Sequence, residues 1–490
     1  MDNLWLVFDV GTSAVKAALI TDAGQIVRSY TEVYPTHSEA GGVVEQNATD
    51  WWQAALSTSH ALAADFARVT ALAVTGQMQD MILVDGDHQP TRAVILYSDM
   101  RARSEADQII ERFSRERLRE LTGNDQGADS LWAKFLWVEQ HEPDVLKRAK
   151  TLLLGAADYL ILQMTGIATT DTTTASVTGL MHLRERRWLD QAGFDAMGIS
   201  AITHLLPRLV IGGAQIGTLT ETAAKSLGLK PGLPVYHAPG DSGAVTLGAG
   251  SGEIGHAYGY LGTSGWIAFT ASEPHSPDLG IFTLAHMRAD QYIPIAPVLT
   301  AGGNLQWVRD LFGVDDYTNL ITQALARPIS SLIYLPYLNG ERTPFSDPLA
   351  RGAVIGLSTS TERADLYRAV LEGVVFAYRQ VLDVLLPERL DALTLTGGGT
   401  RSEGWCQMFA DVLGIPIQIA SDAENVGVRG ALLSAQVMGG TRPNYAPEGY
   451  FPIQATLQPD FAQHERYQQK YPLFRAAYPA LKPIFARSVI

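Results

Sequence analysis

Cysteine is almost missing from this chain of 490 residues: Cys406 is the only one, so no disulfide can form within the chain, and a reducing, cytoplasmic setting fits best. Long apolar runs are missing too. Although 46% of the residues are apolar, Gly, Pro or a charge breaks every run before the roughly 20 residues that a bilayer span requires. No basic stretch precedes the first apolar run, and Asp2 and Asp9 stand around it, which argues against a signal peptide. Positive charge is scarce, with 37 Lys and Arg against 51 Asp and Glu, a net charge of −14. That balance disfavours nucleic acid as a partner and requires any anionic ligand to be gripped locally. The 11 histidines are scattered, with no His-Glu-x-x-His run and no Cys/His cluster, so no zinc site is expected. The length exceeds what one core can fill, and two domains of roughly 240 residues each fall in the usual size range.

What is present begins with the stretch LVFDVGTSAVKAALI over residues 6–20. The pattern predicts an apolar strand that delivers Asp9, a turn of Gly11, Thr12 and Ser13, and a return strand carrying Lys16 among small apolar residues. Backbone N–H groups and two hydroxyls at such a turn can close around phosphate oxygens, with Asp9 placed for the water shell of a divalent ion. A short turn of small residues is common in any hairpin, so one copy says little. The chain carries a second copy. Residues 259–269 read GYLGTSGWIAF, again a strand, then Gly262, Thr263 and Ser264, then a return strand. Two copies one domain apart predict duplicated domains facing one nucleotide, with the boundary in the Gly/Ser-rich segment 248–255.

Between the copies, a helix is expected after Thr49 or Asp50 with Trp52, Leu56, Ala63 and Phe66 on one face, followed by a strand over 70–75. That strand ends in the polar group Gly76, Gln77, Met78, Gln79 and Asp80, read as a loop at a strand's carboxyl end, where open α/β sheets hold ligands. Asp99 either bonds a polyol hydroxyl or pairs with a surface arginine. Residues 104–140 read as helical, with Lys134 a solvated position, residues 151–166 as one helix, and the Thr-rich run 169–176 as a loop over the cleft. A strand over 234–238 delivers Pro-Gly-Asp-Ser-Gly, placing Asp241 at a helix N-terminus, where the dipole favours an ionised carboxylate. An ionised carboxylate beside a substrate hydroxyl is the general base that phosphoryl transfer uses. An N-cap would also place Asp there, but the glycines on both sides leave room for substrate, which a cap does not need. Further on, 335–348 reads as an ordered loop near the cleft containing Glu341 and Arg342. A long helix over 365–385 is predicted to pack closely at Gly373, and the turn of Gly397, Gly398, Gly399 and Ser402 suits close approach of a base or phosphate.

Taken in order, DVGTSAVK, GQMQD, ILYSDMR, KFLWVEQ, PGDSGAVTLGAG, YLGTSGW, LPYLNGERTP, GAVIGLSTSTERADLYRAVLEG and TGGGTRSEGWCQMFADVLG resemble the FGGY carbohydrate kinases of the actin, Hsp70 and sugar kinase superfamily. The segment 352–373 matches the family's C-terminal signature position by position. The resemblance implies an α/β fold of two RNase H-like domains with a central cleft. The first, 1–247, would hold the sugar and the base, and the second, 248–490, would hold ATP with Mg2+. It implies catalytic roles for Asp241 and Asp9, both metal-associated through water, and sugar binding by Gln77, Met78, Gln79, Asp99 and Asp241. ATP would meet Gly11, Thr12, Ser13, Lys16, Gly262, Thr263, Ser264, Gly398, Gly399 and Ser402. Within the family the likeness is to xylulokinases, whose Gly-Gln-Met-His-Gly motif reads Gly76, Gln77, Met78, Gln79, Asp80 here. The implied reaction is phosphorylation of D-xylulose to D-xylulose 5-phosphate. Ribulose, L-xylulose, fuculose, rhamnulose or glycerol as acceptor, and a non-catalytic ATP- or sugar-binding switch, are the alternatives. The partners expected are a small sugar and ATP, with neither nucleic acid nor membrane, and the assembly considered is a homodimer.

Overall fold

Two sheets built on one plan organise the chain, whose computed structural model describes residues 3–275, 277–314, 316–386 and 390–488. In the first, the hairpin Leu4–Val10 and Ala14–Thr21 carries Ile26–Val33 antiparallel on one side. On the other side Val69–Gly76 and then Pro234–His237 run parallel to Leu4–Val10, and Ala214–Thr218 closes the edge. The second sheet repeats this around the hairpin Ala257–Leu261 and Gly265–Phe269. Tyr292–Val298 lies antiparallel on one side, Leu393–Thr396 and Ile417–Ala420 run parallel on the other, and Ile453–Leu457 forms an edge. It has one strand more, Phe282–Ala285, outside Tyr292–Val298.

Alternating apolar residues produce these strands, and helices cover their faces. In the first lobe, Ala48–Leu62 and Ala156–Thr165 bury Trp51, Ala55, Tyr159 and Leu160 against Leu6, Phe8 and Val74. In the second, the helix Arg363–Leu385 buries Val370, Val374 and Tyr378 among Leu261, Ile267 and Leu395. A Cβ on Gly373 would lie 2.5 Å from the Tyr334 carbonyl oxygen, the close packing its glycine suggested. The lobes join where the helix Asp241–Gly248 crosses Val426–Met438. Backbones meet there with glycine on both sides: a Cβ on Gly248 would lie 1.8 Å from the Val426 oxygen, and one on Gly430 1.8 Å from the Ala244 oxygen.

Several local readings are corrected. The first helix starts after Asn47, and its buried face carries Trp51, Ala54 and Ala55, one residue out of phase with Trp52 and Leu56. Residues 104–140 form three helices, Arg103–Phe113, Arg115–Thr122 and Leu131–His141, broken where Ser114 and Gly123 take positive φ. Residues 151–166 split into the strand Thr151–Gly155 and a helix, because the strand pairs with Met78–Val84. The Thr-rich run is the strand Thr169–Asp171 and the turn of helix Thr172–Ala175, buried throughout, not a loop over the cleft. Among the described residues no helix is long and apolar enough to cross a membrane.

Candidate active site

Asp9 ends the central strand of the first sheet, opposite Lys16 on the return strand. Asp241 opens the helix that follows the parallel strand Pro234–His237. Each keeps some accessible surface while protein encloses its remaining sides. The enclosure strips water from both carboxylates. Burial lifts Asp9 to about 6, with Lys16 pulling the other way. Burial and then the charge of Asp9 lift Asp241 to about 7, against the Ser242 N–H and hydroxyl that bond it. Ser242 N donates to Asp241 Oδ1 at 2.6 Å. Asp9 also faces the second lobe, since a Cβ on Gly427 would lie 2.4 Å from its Oδ2.

The first Gly-Thr-Ser turn is braced by side chains. Tyr34 Oη donates to the Gly11 carbonyl, and Gln46 Nε2 donates to the Thr12 oxygen at 2.6 Å. Tyr34 N donates to the Ser13 oxygen at 3.2 Å. Lys16 Nζ crosses between lobes to the Glu424 carbonyl and lies 3.5 Å from Asn425 Oδ1. The second turn is held by backbone. Ala301 N and Gly303 N donate to the Thr263 oxygen at 3.0 and 2.9 Å, and Gly302 N to the Gly262 oxygen at 2.7 Å. A cavity of about 700 Å³ opens beside it, lined by Gly262, Thr263, Gln306, Gly398, Gly399 and Ser402 among others. The predicted nucleotide residues of the second lobe therefore share one groove, apart from Ser264, which closes the turn by accepting from Gly262 N at 3.0 Å. Ser402 also caps the helix Glu403–Leu413.

The polar group after the strand Val69–Gly76 is not a loop. The chain continues directly into the strand Met78–Val84, bent at Gln79 with φ of 63°. Met78 reaches Asp241's neighbourhood, since a Cβ on Gly240 would lie 2.4 Å from Met78 Sδ and 2.6 Å from Thr174 Oγ1. Gln79 donates to the Asp129 oxygen at 3.2 Å. Gln77 turns instead toward the first Gly-Thr-Ser turn, donating to Gln46 Oε1 at 3.0 Å, and its own buried Oε1 has no partner. Asp99 is fully buried, and both its oxygens take protein donors: Val44 N at 2.6 Å, Arg101 N at 3.0 Å, and the Arg101 guanidinium at 2.7 Å. It pairs with an arginine, as one reading allowed, but in the interior.

Four ionisable groups around this site escaped sequence reasoning. Asp80 is fully buried, accepts from Tyr97 N at 3.1 Å, and leaves Oδ2 without a partner. Burial pushes its carboxyl well above the usual range, against the charge of Lys134. Lys134 is fully buried, donates to the Leu96 oxygen at 2.7 Å, and is lowered by burial to about 8. A lysine between Trp132, Ala133, Phe135 and Leu136 was the available signal of that burial. Asp171 caps the short Thr-rich helix through Oδ1, and its buried Oδ2 has no partner. His237 places Nε2 2.8 Å from Asp158 Oδ1 and Nδ1 2.9 Å from the Ala238 oxygen. Its proton affinity is raised: burial opposes the charge, and the bond to Asp158 and its charge override that.

Asp9 and Asp241, beside Lys16 and the first turn, are a donor pair of the kind that suits Mg2+, which takes one or two carboxylates, waters and phosphate oxygens. No group of three or more His, Cys, Asp or Glu side chains gathers as a metal cage among the described residues.

The chain matches two family models, that of the N-terminal domain of the FGGY family of carbohydrate kinases over residues 4–248 and that of the C-terminal domain over 257–438. It is 31% identical to a xylulose kinase of Escherichia coli, with 99% of this chain and 100% of that one covered. Among solved structures it resembles a ligand-bound xylulose kinase from Lactobacillus acidophilus, with a TM-score of 0.91, 25% identity, and 99% of each chain covered. A gluconate kinase from the same organism gives a TM-score of 0.90 at 25% identity, covering 99% of this chain and 100% of that one.

Proposed function

Because the chain belongs to the FGGY family of carbohydrate kinases and is an ATP-dependent sugar kinase, we propose that it phosphorylates D-xylulose to D-xylulose 5-phosphate with Asp241 as general base. One observation carries the assignment of the base: a carboxylate raised to about 7, between Met78 and Asp9, at the start of a helix flanked by Gly240 and Gly243. A base poised near the working pH takes a proton efficiently as its donor reacts.

The sugar would lie against Met78, Gln79 and Thr174, and the nucleotide along the groove of Gly262, Thr263, Gly398 and Gly399. Its phosphates would point to the first turn. The sugar hydroxyl attacks the γ-phosphorus, its proton passes to Asp241, and the bond to the β-phosphate oxygen breaks to leave ADP. Lys16 and the backbone of the two turns meet the charge that spreads over the phosphate oxygens. Asp9 and Asp241 would hold Mg2+ through water, and when bound the ion supplies positive charge at the β- and γ-phosphates. Enclosure between the lobes keeps water from competing with the sugar. The charges felt at Asp241 come from Asp9 and, more weakly, from Asp171. Such surroundings repel the carboxylate of an aldonic acid, which favours a neutral ketose or polyol over gluconate.

The test is ADP release from Mg-ATP against D-xylulose, L-xylulose, D- and L-ribulose, glycerol, L-fuculose, L-rhamnulose and gluconate, with Asp241→Asn in parallel. Strongest turnover is expected on D-xylulose, and the variant is expected to lose roughly 10²–10⁴ in kcat with its fold intact. Turnover led by another acceptor would overturn the D-xylulose reading, and near-normal turnover in the variant would overturn the base.

A further inference from the structure

The extra strand of the second sheet, Phe282–Ala285, pairs on one side with Tyr292–Val298 and turns its other edge to the first lobe. An open strand edge presents unpaired backbone groups that must find partners when buried. Here side chains supply them. Asn124 Oδ1 accepts from Thr283 N at 2.7 Å, and Asn124 Nδ2 donates to the Thr283 oxygen at 2.9 Å. Ser176 Oγ accepts from Ala285 N at 3.0 Å, and Thr173 Oγ1 donates to the Ala285 oxygen at 2.9 Å. One amide and two hydroxyls thus stand in for a missing strand, making the bonds its backbone would make. The clasp is also tied within itself: Ser176 Oγ donates to the Thr173 oxygen at 2.6 Å, and Asn124 Nδ2 lies 3.1 Å from the Ser176 oxygen. All three side chains are buried, with at most 2% of their surface exposed.

The segment that grips the edge also touches the wall of the proposed sugar site. Thr173 and Ser176 flank Thr174, whose hydroxyl lies beside Gly240 and Met78, and a Cβ on Gly243 would lie 2.8 Å from Thr173 Cγ2. Thr172–Ala175 therefore has the nucleotide lobe's sheet edge on one side and the Met78–Asp241 wall on the other. The glycine seam between Asp241–Gly248 and Val426–Met438 brings two helix backbones into direct contact. The clasp is different in kind, because its four bonds form only when the sheet edge and the Thr-rich turn are in one register, and a shift of about 1 Å weakens them together.

We propose that Asn124, with Ser176 and Thr173, positions the sugar wall according to the place of the nucleotide lobe, and so couples sugar binding to nucleotide binding. The proposal rests on reading the Met78–Asp241 wall as the sugar site. The measurement is calorimetric titration of a non-hydrolysable ATP analogue with Mg2+, without and with the sugar best used among the acceptors named above. In the parent protein the sugar is expected to tighten the analogue by roughly 5–150-fold, the usual range of coupling between sites. In Asn124→Leu and in Ser176→Ala that factor falls below about threefold, while the analogue's affinity without sugar stays within about twofold. A variant that merely loosens the fold would weaken the analogue in both titrations alike. Of the bonds to the sheet edge, Asn124→Leu removes two and Ser176→Ala only one, so the serine variant carries the test if the other does not fold. Coupling at the parent value in Ser176→Ala, or no coupling in the parent protein, overturns the inference. Neither result touches the D-xylulose reading, which turnover across the acceptors decides, and because the readout is binding, loss of the assigned base would not mask it.

Discussion

The first Gly-Thr-Ser turn spans four residues between Val10 and Val15, closed by Gly11 N to the Ala14 oxygen at 3.0 Å, whereas the second spans three between Leu261 and Gly265, closed by Gly262 N to the Ser264 oxygen at 3.0 Å. Their cross-strand neighbours differ more. Asp9 faces Lys16 in the first, and Tyr260 faces Trp266 in the second, with rings stacked at 4.0 Å. One copy holds opposite charges in a site that dehydrates them, and the other holds a neutral aromatic floor beside the groove proposed for the nucleotide. Charges stripped of water act strongly on a reacting phosphate, and an aromatic floor suits binding without chemistry. On the proposed function, a duplicated backbone would divide the work through what stands two residues before the glycine.

Removing the charge of the first turn should break this division most severely. Asp9→Asn keeps the shape of the side chain and is expected to lower kcat by about 10²–10³, the scale of losing one preorganised electrostatic group. Steady-state kinetics at saturating Mg-ATP and sugar would show it, and a loss below tenfold would mean that the two turns do not divide the work in this way. A smaller effect should appear in the second turn and concern stability. A Cβ on Gly265 would lie 1.8 Å from the Tyr378 hydroxyl, which donates to the Tyr260 carbonyl. Gly265→Ala is expected to cost about 1–3 kcal/mol through overpacking. Ala14→Gly, its counterpart in the first turn, is expected to cost at most about 1 kcal/mol. Thermal melting distinguishes them, and equal melting of both variants with the parent would show two equally plastic turns.

How far the sequence reveals this arrangement follows from the range of the forces involved. Hairpins, their repeat and the strand before Asp241 are legible because alternation and turn residues act over a few positions. The helix Arg363–Leu385 is legible because its apolar residues recur at helical spacing. The bend at Gln79 is not, since positive φ at a glutamine is imposed by its surroundings. Lys134 reads as solvated because helical periodicity does not say that Leu96 and Asp80 lie opposite it. The Thr-rich run reads as a loop over the cleft, and only the fold brings Asn124 and the sheet edge beside it. Asp9 and Asp241 can be named from their motifs, but not the proton affinity each gains from burial.

That proton affinity gives the last and smallest contrast between the two turns. Asp9 is raised from 3.8 to about 6 by burial, so between roughly pH 4 and 6 the folded protein holds more protons there than the unfolded chain. Its contribution to stability is therefore complete below about pH 4 and is lost as pH climbs through 6. At pH 8 the folded state carries a poorly hydrated carboxylate that the unfolded chain would hydrate freely. Asp9→Asn has no such charge and should be more stable than the parent protein at pH 8 and level with it near pH 4. The expected gain is on the order of 1 kcal/mol: a roughly hundredfold change in proton affinity is worth about 3 kcal/mol in a fully enclosed site, and the carboxylate's remaining contact with water reduces it. Melting curves recorded without Mg2+ or nucleotide, which would otherwise neutralise the charge, should show the gap open between those limits. The second turn holds an aromatic ring, that of Tyr260, in the corresponding place. A stability gap that is the same at pH 4 and pH 8 for Asp9→Asn would mean that the first turn holds its carboxylate without strain.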